Sequence, residues 1–466
     1  MVFSSFLFLC VFLPLTIAVY YIFPSIKVKN GILIVSSLFF YAFGEPFYVV
    51  LLIFSIIVNY FFGLLLDKKK RKIFLILCIV FNLSYLFVFK YLDFSILSVN
   101  SVTPFKLKEL GLSLPIGISF YTFQALSYVI DVYRGNVKPQ KNLFKLMLYI
   151  SFFPQLIAGP IIRYIDVEKM LSERSHSSER IKDGIIRFSI GLAKKILIAN
   201  EVGKVADMIF AKDISEMNIA FAWLAAFTYM MQIYYDFSGY SDMAIGIGNI
   251  FGFKFAENFN YPYIAVSIQD FWRRWHISLS SWFKEYVYIP LGGNRKGKAR
   301  TILNKYIVFA LTGIWHGANW TFLIWGLYHG TFLMIESLFK KSKKENSRTN
   351  KTILSILGFV YSFLVVCFGF VIFRADSLSD AFMIIKNMIG LGNLGIQPEI
   401  YLYLTPFYIF VYLTAFIGST GVFKIIMEKV FKKNDYLLMA LSVSYLLLCF
   451  MSLACDSYNP FIYFRF

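Results

Sequence analysis

Charged side chains are scarce in this chain. Of 466 residues only 16% are Asp, Glu, Lys or Arg, whereas 58% are hydrophobic and 20% are aromatic. At this composition a soluble protein of the same length would have too few charged and polar groups to cover its surface. The shortage argues against a soluble globular enzyme and indicates a protein that lies in a membrane.

Patterns of cysteine that bind metals are also missing. The five cysteines lie in or at the ends of apolar segments, and none stands near another at the spacing of a metal site. We interpret them as small residues that pack within the membrane, and we expect no bound metal and no resident cofactor. These residues are Cys10, Cys78, Cys367, Cys449 and Cys455.

Long apolar runs recur along nearly the whole chain. Each is close to the roughly 20 residues that a helix needs to cross a bilayer core about 30 Å thick. They predict an all-α, polytopic membrane protein, a single domain over residues 1–466 with about ten to twelve crossings. No cation precedes the first run, so we expect a retained anchor and not a cleaved signal peptide. The clearest runs are 2–23, 47–66, 73–89, 219–235, 321–338, 353–373 and 436–454.

The net charge of +19 raises the question of a nucleic-acid partner. The cations cluster in short loops between apolar runs, for example at 68–72, 295–300 and 340–351. This is the positive-inside bias of cytoplasmic loops, so we expect a lipid bilayer and no nucleic acid as partner. With these loops inside, parity places the C-terminal motif at 459–466 on the extracytoplasmic side.

Two segments interrupt the pattern of regular crossings. Residues 151–164 carry Pro154, Gly159 and Pro160 within a short apolar stretch. Non-helical backbone at membrane depth must be buried in protein or line a cavity, so this segment is predicted to be re-entrant. Residues 253–300 are too charged to span and rich in aromatics, which predicts an amphipathic stretch at the inner interface.

His316 is the strongest candidate for a catalytic residue. It lies in an apolar hairpin, where an ionisable group is a functional hypothesis by default. Gly313 and Gly317 are expected to leave the imidazole open to close approach, while Trp315 and Asn319 supply hydrogen-bond donors. Such a cluster suits acyl transfer, in which imidazole takes the proton of a hydroxyl and N–H groups face the oxyanion. The alternative is a neutral imidazole bonded to a neighbouring helix.

The other three histidines differ in context. His276 lies in the aromatic and basic segment, where four neighbours suit a phosphate-bearing donor at the cytoplasmic face. The alternative for this segment is a lipid-facing anchor. His176 lies in a polar loop and is expected to be solvated, and His329 is expected to be structural. The four neighbours of His276 are Trp272, Arg273, Arg274 and Trp275.

Several long strings carry a family resemblance. "FWRRWHISLSSWFKEYVYIPLGGNRKG" followed by "LTGIWHGANWTFLIWGLYHG" resembles the membrane-bound O-acyltransferase (MBOAT) family. The strings "LPIGISFYTFQALSYVIDVYRG", "YYDFSGYSDMAIGIG" and "PFIYFRF" are similar to its branch of bacterial alginate O-acetyltransferase membrane subunits. By position, His316 matches the family's essential histidine and His276 matches its second one.

The resemblance implies a fold and an activity. It implies a ring of membrane helices around a funnel, in a multi-pass protein of the bacterial inner or plasma membrane. The enzyme would take an acetyl group from acetyl-CoA or an acyl-carrier thioester to hydroxyls of an extracytoplasmic or cell-wall polysaccharide. A secreted or membrane-anchored serine-hydrolase-like protein is the expected partner.

Two other functions remain open from the sequence. One is the related D-alanyl transfer to teichoic acid. The other is a polysaccharide or lipid transporter without chemistry, which would be expected to show inverted repeats and paired intramembrane carboxylates. The sequence shows no internal repeat, which favours an enzyme.

Tyr463 is a candidate acyl relay. A covalent relay would divide transfer between an inside donor and an outside glycan into two steps. A phenol, whose ordinary pKa is about 10, leaves far more readily than an alkyl alcohol, so an acyl-tyrosine keeps its transfer potential. The small subunit of the D-alanylation system ends in a similar motif. The alternative is an interfacial aromatic anchor with Arg465 at the lipid headgroups.

Overall fold

The computed structural model describes residues 1–67, 71–104, 106–339, 348–395, 397–430 and 434–462, so Tyr463 and Arg465 lie outside the described residues. In these ranges the chain is helical, and its only β-type pairing is one isolated bridge between Asn218 and Asn393. The prediction of an all-α protein is confirmed. The α-helices are α1 (Leu13–Ile22), α2 (Ile26–Gly44), α3 (Tyr48–Leu65), α4 (Arg71–Lys90), α5 (Leu92–Val102), α6 (Ile118–Arg134), α7 (Leu143–Ser151), α8 (Phe153–Leu156), α9 (Tyr164–Val167), α10 (Ser178–Ala193), α11 (Asn200–Phe210), α12 (Ile219–Ile250), α13 (Ile268–Arg274), α14 (Ile277–Phe283), α15 (Gly297–His316), α16 (Trp320–Phe339), α17 (Arg348–Arg374), α18 (Leu378–Met388), α19 (Pro406–Gly418), α20 (Val422–Val430) and α21 (Asp435–Cys455).

Within the described ranges, six helices are long and apolar enough to cross a membrane. They are α2, α3, α4, α16, the part of α17 from Thr352 to Arg374, and α21. Three shorter apolar helical stretches lie at Phe8–Ile22, Leu92–Val102 and Pro406–Gly418. The protein is therefore polytopic, as predicted. The count of ten to twelve crossings would also require the shorter helices, and it stays a prediction.

The chain divides into two compact units. Unit 1 comprises residues 1–188 and 240–256, and unit 2 comprises 189–239 and the chain from 257 onward. Of the six candidate membrane-spanning helices, α2, α3 and α4 belong to unit 1, and α16, α17 and α21 belong to unit 2. The candidate catalytic and binding residues of the sequence that the structure describes all belong to unit 2.

Unit 1 buries the irregular segment that the sequence singled out. α7 ends at Ser151, a four-residue helix follows, and the backbone is non-helical between it and α9. Every residue from 151 to 162 is buried. Gly117 has a positive φ of 77°, and a Cβ there would lie 2.5 Å from the carbonyl oxygen of Leu156. The predicted burial of this segment is confirmed, whereas its depth in a membrane stays a prediction.

His176, also in unit 1, is not the solvated side chain that the polar loop suggested. Its ring is half-buried, and its Nε2 lies 2.8 Å from the phenol oxygen of Tyr20. The expectation failed because the partner, Tyr20, is more than 150 residues away in the sequence.

Unit 2 packs its core around α12, with α11, α13, α16 and α17 against it. The α15–α16 hairpin is tight because glycines face each other. A Cβ on Gly313 would lie 2.3 Å from the carbonyl oxygen of Phe322, and one on Gly317 would lie 2.1 Å from the Phe322 ring. These two glycines were expected to open space around His316. Instead, that space is occupied by Phe322, and the glycines let the two helices approach.

Candidate active site

His316 is the last residue of α15 and lies in an aromatic box. It is 5% exposed, and its ring meets the rings of Trp325 at 5.1 Å and Phe373 at 5.2 Å, both nearly perpendicular. The cavity beside it has a volume of about 10 Å³, which is room for about one water molecule. In this conformation the imidazole faces an almost closed pocket. The pocket is lined by Ile233, Phe237, Trp275, His316, Trp325, Phe370 and Phe373.

His276 is held in an unusual backbone conformation and a defined tautomer. It precedes α14 with a φ of 42°, a region that non-glycine residues rarely adopt. Its Nδ1 lies 3.2 Å from Oδ1 of Asn258, which also accepts from the backbone N–H of Ser278 at 3.2 Å. Because a backbone N–H can only donate, this Asn258 atom is the oxygen, so Nδ1 of His276 carries the proton.

The Nε2 of His276 is therefore a lone-pair acceptor. No described residue donates a hydrogen bond to it, and the side chain is fully buried. Burial lowers the pKa of His276 from its ordinary value to about 3, so the ring is neutral at physiological pH. A neutral imidazole with a vacant acceptor nitrogen can bind a hydroxyl proton.

The two histidines meet at Trp315. The Trp315 ring centroid lies 5.0 Å from that of His316 and 6.0 Å from that of His276. Phe237 connects them on another side, since its ring lies 4.6 Å from His276 and it also lines the His316 pocket. The structure thus brings together two residues that are far apart in the sequence.

Trp325 and His329 belong to the same cluster, and the sequence analysis did not single out Trp325. The Trp325 indole N–H is buried and has no acceptor among the described residues. Its ring lies 5.2 Å from His329, which in turn lies 5.3 Å from Trp272. The spacing of Trp325 and His329 in the sequence could have identified Trp325, because two residues four apart on a helix, here α16, lie on the same face.

A second cavity, of about 230 Å³, lies in unit 2 and is lined in part by basic side chains. Trp272 and Arg273 line it, together with the cations Lys284 and Lys305, and their role on the donor side stays a prediction. At another point it reaches Thr312, one helical turn before His316. The lining also includes Gln269, Leu279, Ser280, Phe283, Tyr288, Val308, Phe309 and Leu333.

Arg274, Trp275 and Asn319 lie elsewhere. Arg274 pairs with Asp270 at 3.0 Å and does not line the larger cavity. Trp275 stacks on Phe271 at 5.6 Å and lines the small His316 pocket. Asn319 caps α16 through Oδ1 and donates to the carbonyl of Asp376.

Comparison with known proteins identifies the family. The sequence profile of the membrane-bound O-acyltransferase family, MBOAT, matches residues 138–379. The chain is 42% identical over 402 residues to the probable alginate O-acetylase AlgI of Azotobacter vinelandii. This alignment covers 84% of this chain and 79% of the relative. This chain belongs to the MBOAT family.

Two further MBOAT relatives widen the comparison. The peptidoglycan O-acetyltransferase of Helicobacter pylori is 38% identical over 432 residues, 85% of this chain and 81% of the relative. The teichoic acid D-alanyltransferase of Bacillus subtilis is 33% identical over 269 residues, 55% of this chain and 68% of the relative. The predictions of an O-acyltransferase and of a multi-pass bacterial membrane protein are confirmed.

The last described residues of this MBOAT protein, which we call the tail segment (456–462), are anchored in unit 2. The backbone N–H of Ile462 donates to Oδ2 of Asp236 at 2.8 Å, and both residues are buried. Asp236 forms an ion pair with Lys195 at 2.7 Å, and Lys195 also donates to the carbonyl of Pro460. Asp236 directly precedes Phe237, which contacts His276. The segment that leads to Tyr463 is therefore held beside the histidine site.

Proposed function

We propose that this enzyme moves an acetyl group from a cytosolic thioester toward hydroxyl groups of an extracytoplasmic polysaccharide. Two of the relatives that align over more than four fifths of the chain are named for alginate and peptidoglycan O-acetylation, which supports an acetyl group and a glycan acceptor. The observation that carries the proposal is the meeting of two buried histidines at Trp315.

His316 acts as general base in this proposal. It takes the proton of the attacking hydroxyl as the hydroxyl oxygen bonds to the thioester carbonyl carbon. The tetrahedral intermediate then breaks its C–S bond, and His316 returns the proton to the departing sulfur. Thioester and alcohol become ester and thiol, so no further reactant is required.

Two neighbours of His316 complete the proposed machinery. The indole N–H of Trp325, buried and without an acceptor among the described residues, is the donor that we assign to the developing oxyanion. His276 orients the incoming hydroxyl by accepting its hydrogen bond through Nε2 before the hydroxyl turns its single proton to His316, because the Nδ1 proton of His276 is committed to Asn258. Asn319 is left out, since both ends of its amide are used in local contacts.

The larger cavity is the proposed donor site. Arg273, Lys284 and Lys305 supply positive charge for phosphate, and the apolar wall suits the pantetheine arm. Acetyl-CoA and a carrier-protein phosphopantetheine share this chemistry. The cavity reaches Thr312, which orients the donor along α15 toward His316.

We further propose that Tyr463 is the first acyl acceptor. Its phenol oxygen would bond to the acetyl carbon as the C–S bond breaks, and the acetyl-tyrosine would then be attacked by the next hydroxyl. Support comes from the tail segment, whose Ile462 is hydrogen-bonded to Asp236 beside Phe237. The final transfer to the glycan would be made by a secreted or membrane-anchored serine-hydrolase-like partner.

D-alanyl transfer to teichoic acid is the second candidate. The relative from Bacillus subtilis is named for this activity, and the larger cavity would also accept the phosphopantetheine of a carrier protein. The two candidates differ in the acyl group, so a direct assay separates them.

The test uses proteoliposomes that contain the full chain. Radiolabelled acetyl-CoA or a D-alanyl carrier thioester is added on the side of the basic loops, and label bound to protein or to an alginate or peptidoglycan acceptor is measured. We expect acetyl transfer, and we expect His316→Gln to lower it by roughly 10²–10⁴-fold with an unchanged unfolding midpoint. Transfer of D-alanine alone would replace the acetyl proposal, and near-normal turnover of His316→Gln would remove His316 as the base.

A further inference from the structure

Unit 1 contains a cluster of positive charge that the proposed reaction does not use. Arg174 donates through Nε and a terminal nitrogen to the Tyr20 phenol oxygen, each at 3.3 Å. The Lys29 ammonium lies 4.9 Å from the Tyr20 ring centre and 5.2 Å from that of Tyr21. The Tyr20 hydroxyl donates its proton to the carbonyl of Phe251 at 2.9 Å, and the Nε2 of His176 lies 2.8 Å from the same phenol oxygen.

Two cations of this cluster are buried without a counter-charge. Lys29 is 7% exposed and Arg174 is 9% exposed. Among the described residues, no carboxylate lies within ion-pair distance of either, and the Lys29 ammonium donates no hydrogen bond. Two other cations with little-exposed side chains are paired, Lys195 with Asp236 at 2.7 Å and Arg374 with Asp207 at 3.1 Å. Because an uncompensated buried charge is costly, the cluster lacks an anion.

The local backbone adds to the positive potential. Lys29 lies in the first turn of α2, a 19-residue helix whose first turn has no acidic residue. The positive end of the helix dipole favours anions there, and it disfavours a lysine that has no anionic partner. Burial, followed by the charges of Lys29 and Arg174, holds the pKa of His176 below its ordinary value.

We propose that Lys29, Arg174 and the backbone N–H groups at the start of α2 form a binding site for a phosphate group. Arg174 uses three of its five N–H groups on Tyr20 and on the carbonyl of Met170, which leaves two for a phosphate. A phospholipid headgroup and a soluble phosphate share this chemistry. The apolar side chains of Ile22, Phe23 and Val28, exposed beside the cluster, suit the acyl chains of a lipid. The site is independent of the proposed acetyl transfer.

The test measures the unfolding midpoint of the full chain in a neutral detergent. Dioleoylphosphatidylglycerol, inorganic phosphate and the phosphate-free lipid dioleoylglycerol are added separately. We expect a saturating phosphate ligand to raise the wild-type midpoint by about 3 °C or more. Lys29→Met should weaken that ligand at least about tenfold, since it removes a charge-assisted hydrogen bond.

Lys27→Met is the matched control, because it removes the same charge from an exposed side chain two residues away in the same helix turn. Without ligand, Lys29→Met should be at least as stable as wild type, because Lys29 and Arg174 repel each other. Arg174→Lys keeps the charge, loses the planar fork and should also weaken binding.

Each outcome decides the assignment or the source of the ligand. Stabilisation by phosphatidylglycerol but not by inorganic phosphate or dioleoylglycerol identifies a lipid headgroup, and stabilisation by inorganic phosphate identifies a soluble ligand. The assignment is wrong if no phosphate compound shifts the wild-type midpoint. It is equally wrong if Lys29→Met responds like wild type, or if Lys27→Met loses the response to the same extent.

Discussion

Replacing Lys195 by methionine tests whether the anchored tail segment is needed for acyl transfer. The side chain is 4% exposed and the Asp236 side chain is 2% exposed, so the substitution leaves a carboxylate buried without its cation. Removal of one partner of such a pair costs about 3–5 kcal/mol. Lys195→Met should therefore unfold at a clearly lower temperature and transfer little acetyl, for two reasons that this single variant cannot separate.

The double variant Lys195→Met/Asp236→Leu separates stability from anchoring. It removes both charges and fills the same volume with apolar groups, so most of the lost stability should return. The tail segment, however, loses the acceptor of the Ile462 N–H and the donor to the Pro460 carbonyl. A hydrogen bond to a charged group contributes about 1.5–3 kcal/mol, so anchoring should weaken by roughly 10–100-fold. Transfer should stay low in a stable protein.

The assay pairs intrinsic-fluorescence unfolding in detergent with acetyl transfer in proteoliposomes. A matched control is Arg187→Met/Asp242→Leu, which removes another ion pair of α12, at 2.6 Å, between a buried Asp242 and a partly exposed Arg187. The control should keep transfer near that of wild type. If Lys195→Met/Asp236→Leu transfers acetyl as well as wild type does, the tail segment is only a structural element and the relay argument fails.

Three further predictions address the relay, the donor and His276. Tyr463→Phe keeps the ring and removes the hydroxyl, so it should abolish glycan acetylation and the acetylated C-terminal peptide that mass spectrometry would detect in the wild type. Arg273→Met should raise the KM for acetyl-CoA more than Arg274→Met, because Arg273 lines the larger cavity and Arg274 is paired with Asp270; equal effects would contradict the donor site. The pKa of His276 is about 3 when folded and about 6.5 when unfolded, so its contribution to stability is complete above pH 6.5 and is lost as pH falls toward 3. His276→Gln should flatten the loss of stability between pH 6.5 and 4, and an unchanged slope would show that burial of this imidazole is not the cause.

Hydropathy predicted the bounds of three membrane helices well, two in the first hundred residues and one near the C-terminus. The apolar runs 47–66, 73–89 and 436–454 correspond to Tyr48–Leu65, Arg71–Lys90 and Asp435–Cys455. These helices bury little of their surface within the protein, so their sequence reflects the surrounding lipid and their bounds can be read locally.

α12 shows where local reading fails. The apolar run 219–235 predicted a single crossing, whereas the helix continues to Ile250. Polar residues from Asp236 to Asp242 lower the hydropathy of its second half. They are nevertheless buried, because Lys195 and Arg187 neutralise the two carboxylates. Those partners lie on other segments, and no local window contains them.

The site was predictable in part for the same reason. An imidazole in an apolar hairpin identified His316 as a candidate. His276 was chosen mainly from the family resemblance, and its proximity to His316 was not predicted, because only the folded chain places both rings against Trp315. Trp325 is one of seven tryptophans, and apart from its spacing from His329 nothing in the sequence around it distinguished it from the others. The sequence also could not tell which of the two adjacent arginines lines the larger cavity. Arg274 does not, because it is paired with the carboxylate of Asp270, whereas Arg273 does.

Two consecutive residues of α12 connect the tail segment to the histidines. The carboxylate of Asp236 accepts a hydrogen bond from the Ile462 N–H. The next residue, Phe237, contacts His276 and lines the His316 pocket. Successive side chains on a helix point about 100° apart, so one helical turn can serve both faces without a flexible link. The Lys195 that neutralises Asp236 lies in the π-helical segment Lys194–Ala199, a geometry often found at functional sites. Removing the charges of Lys195 and Asp236 together should therefore change the position of the tail segment relative to the imidazoles, because neither side chain itself contacts an imidazole through a hydrogen bond or ion pair.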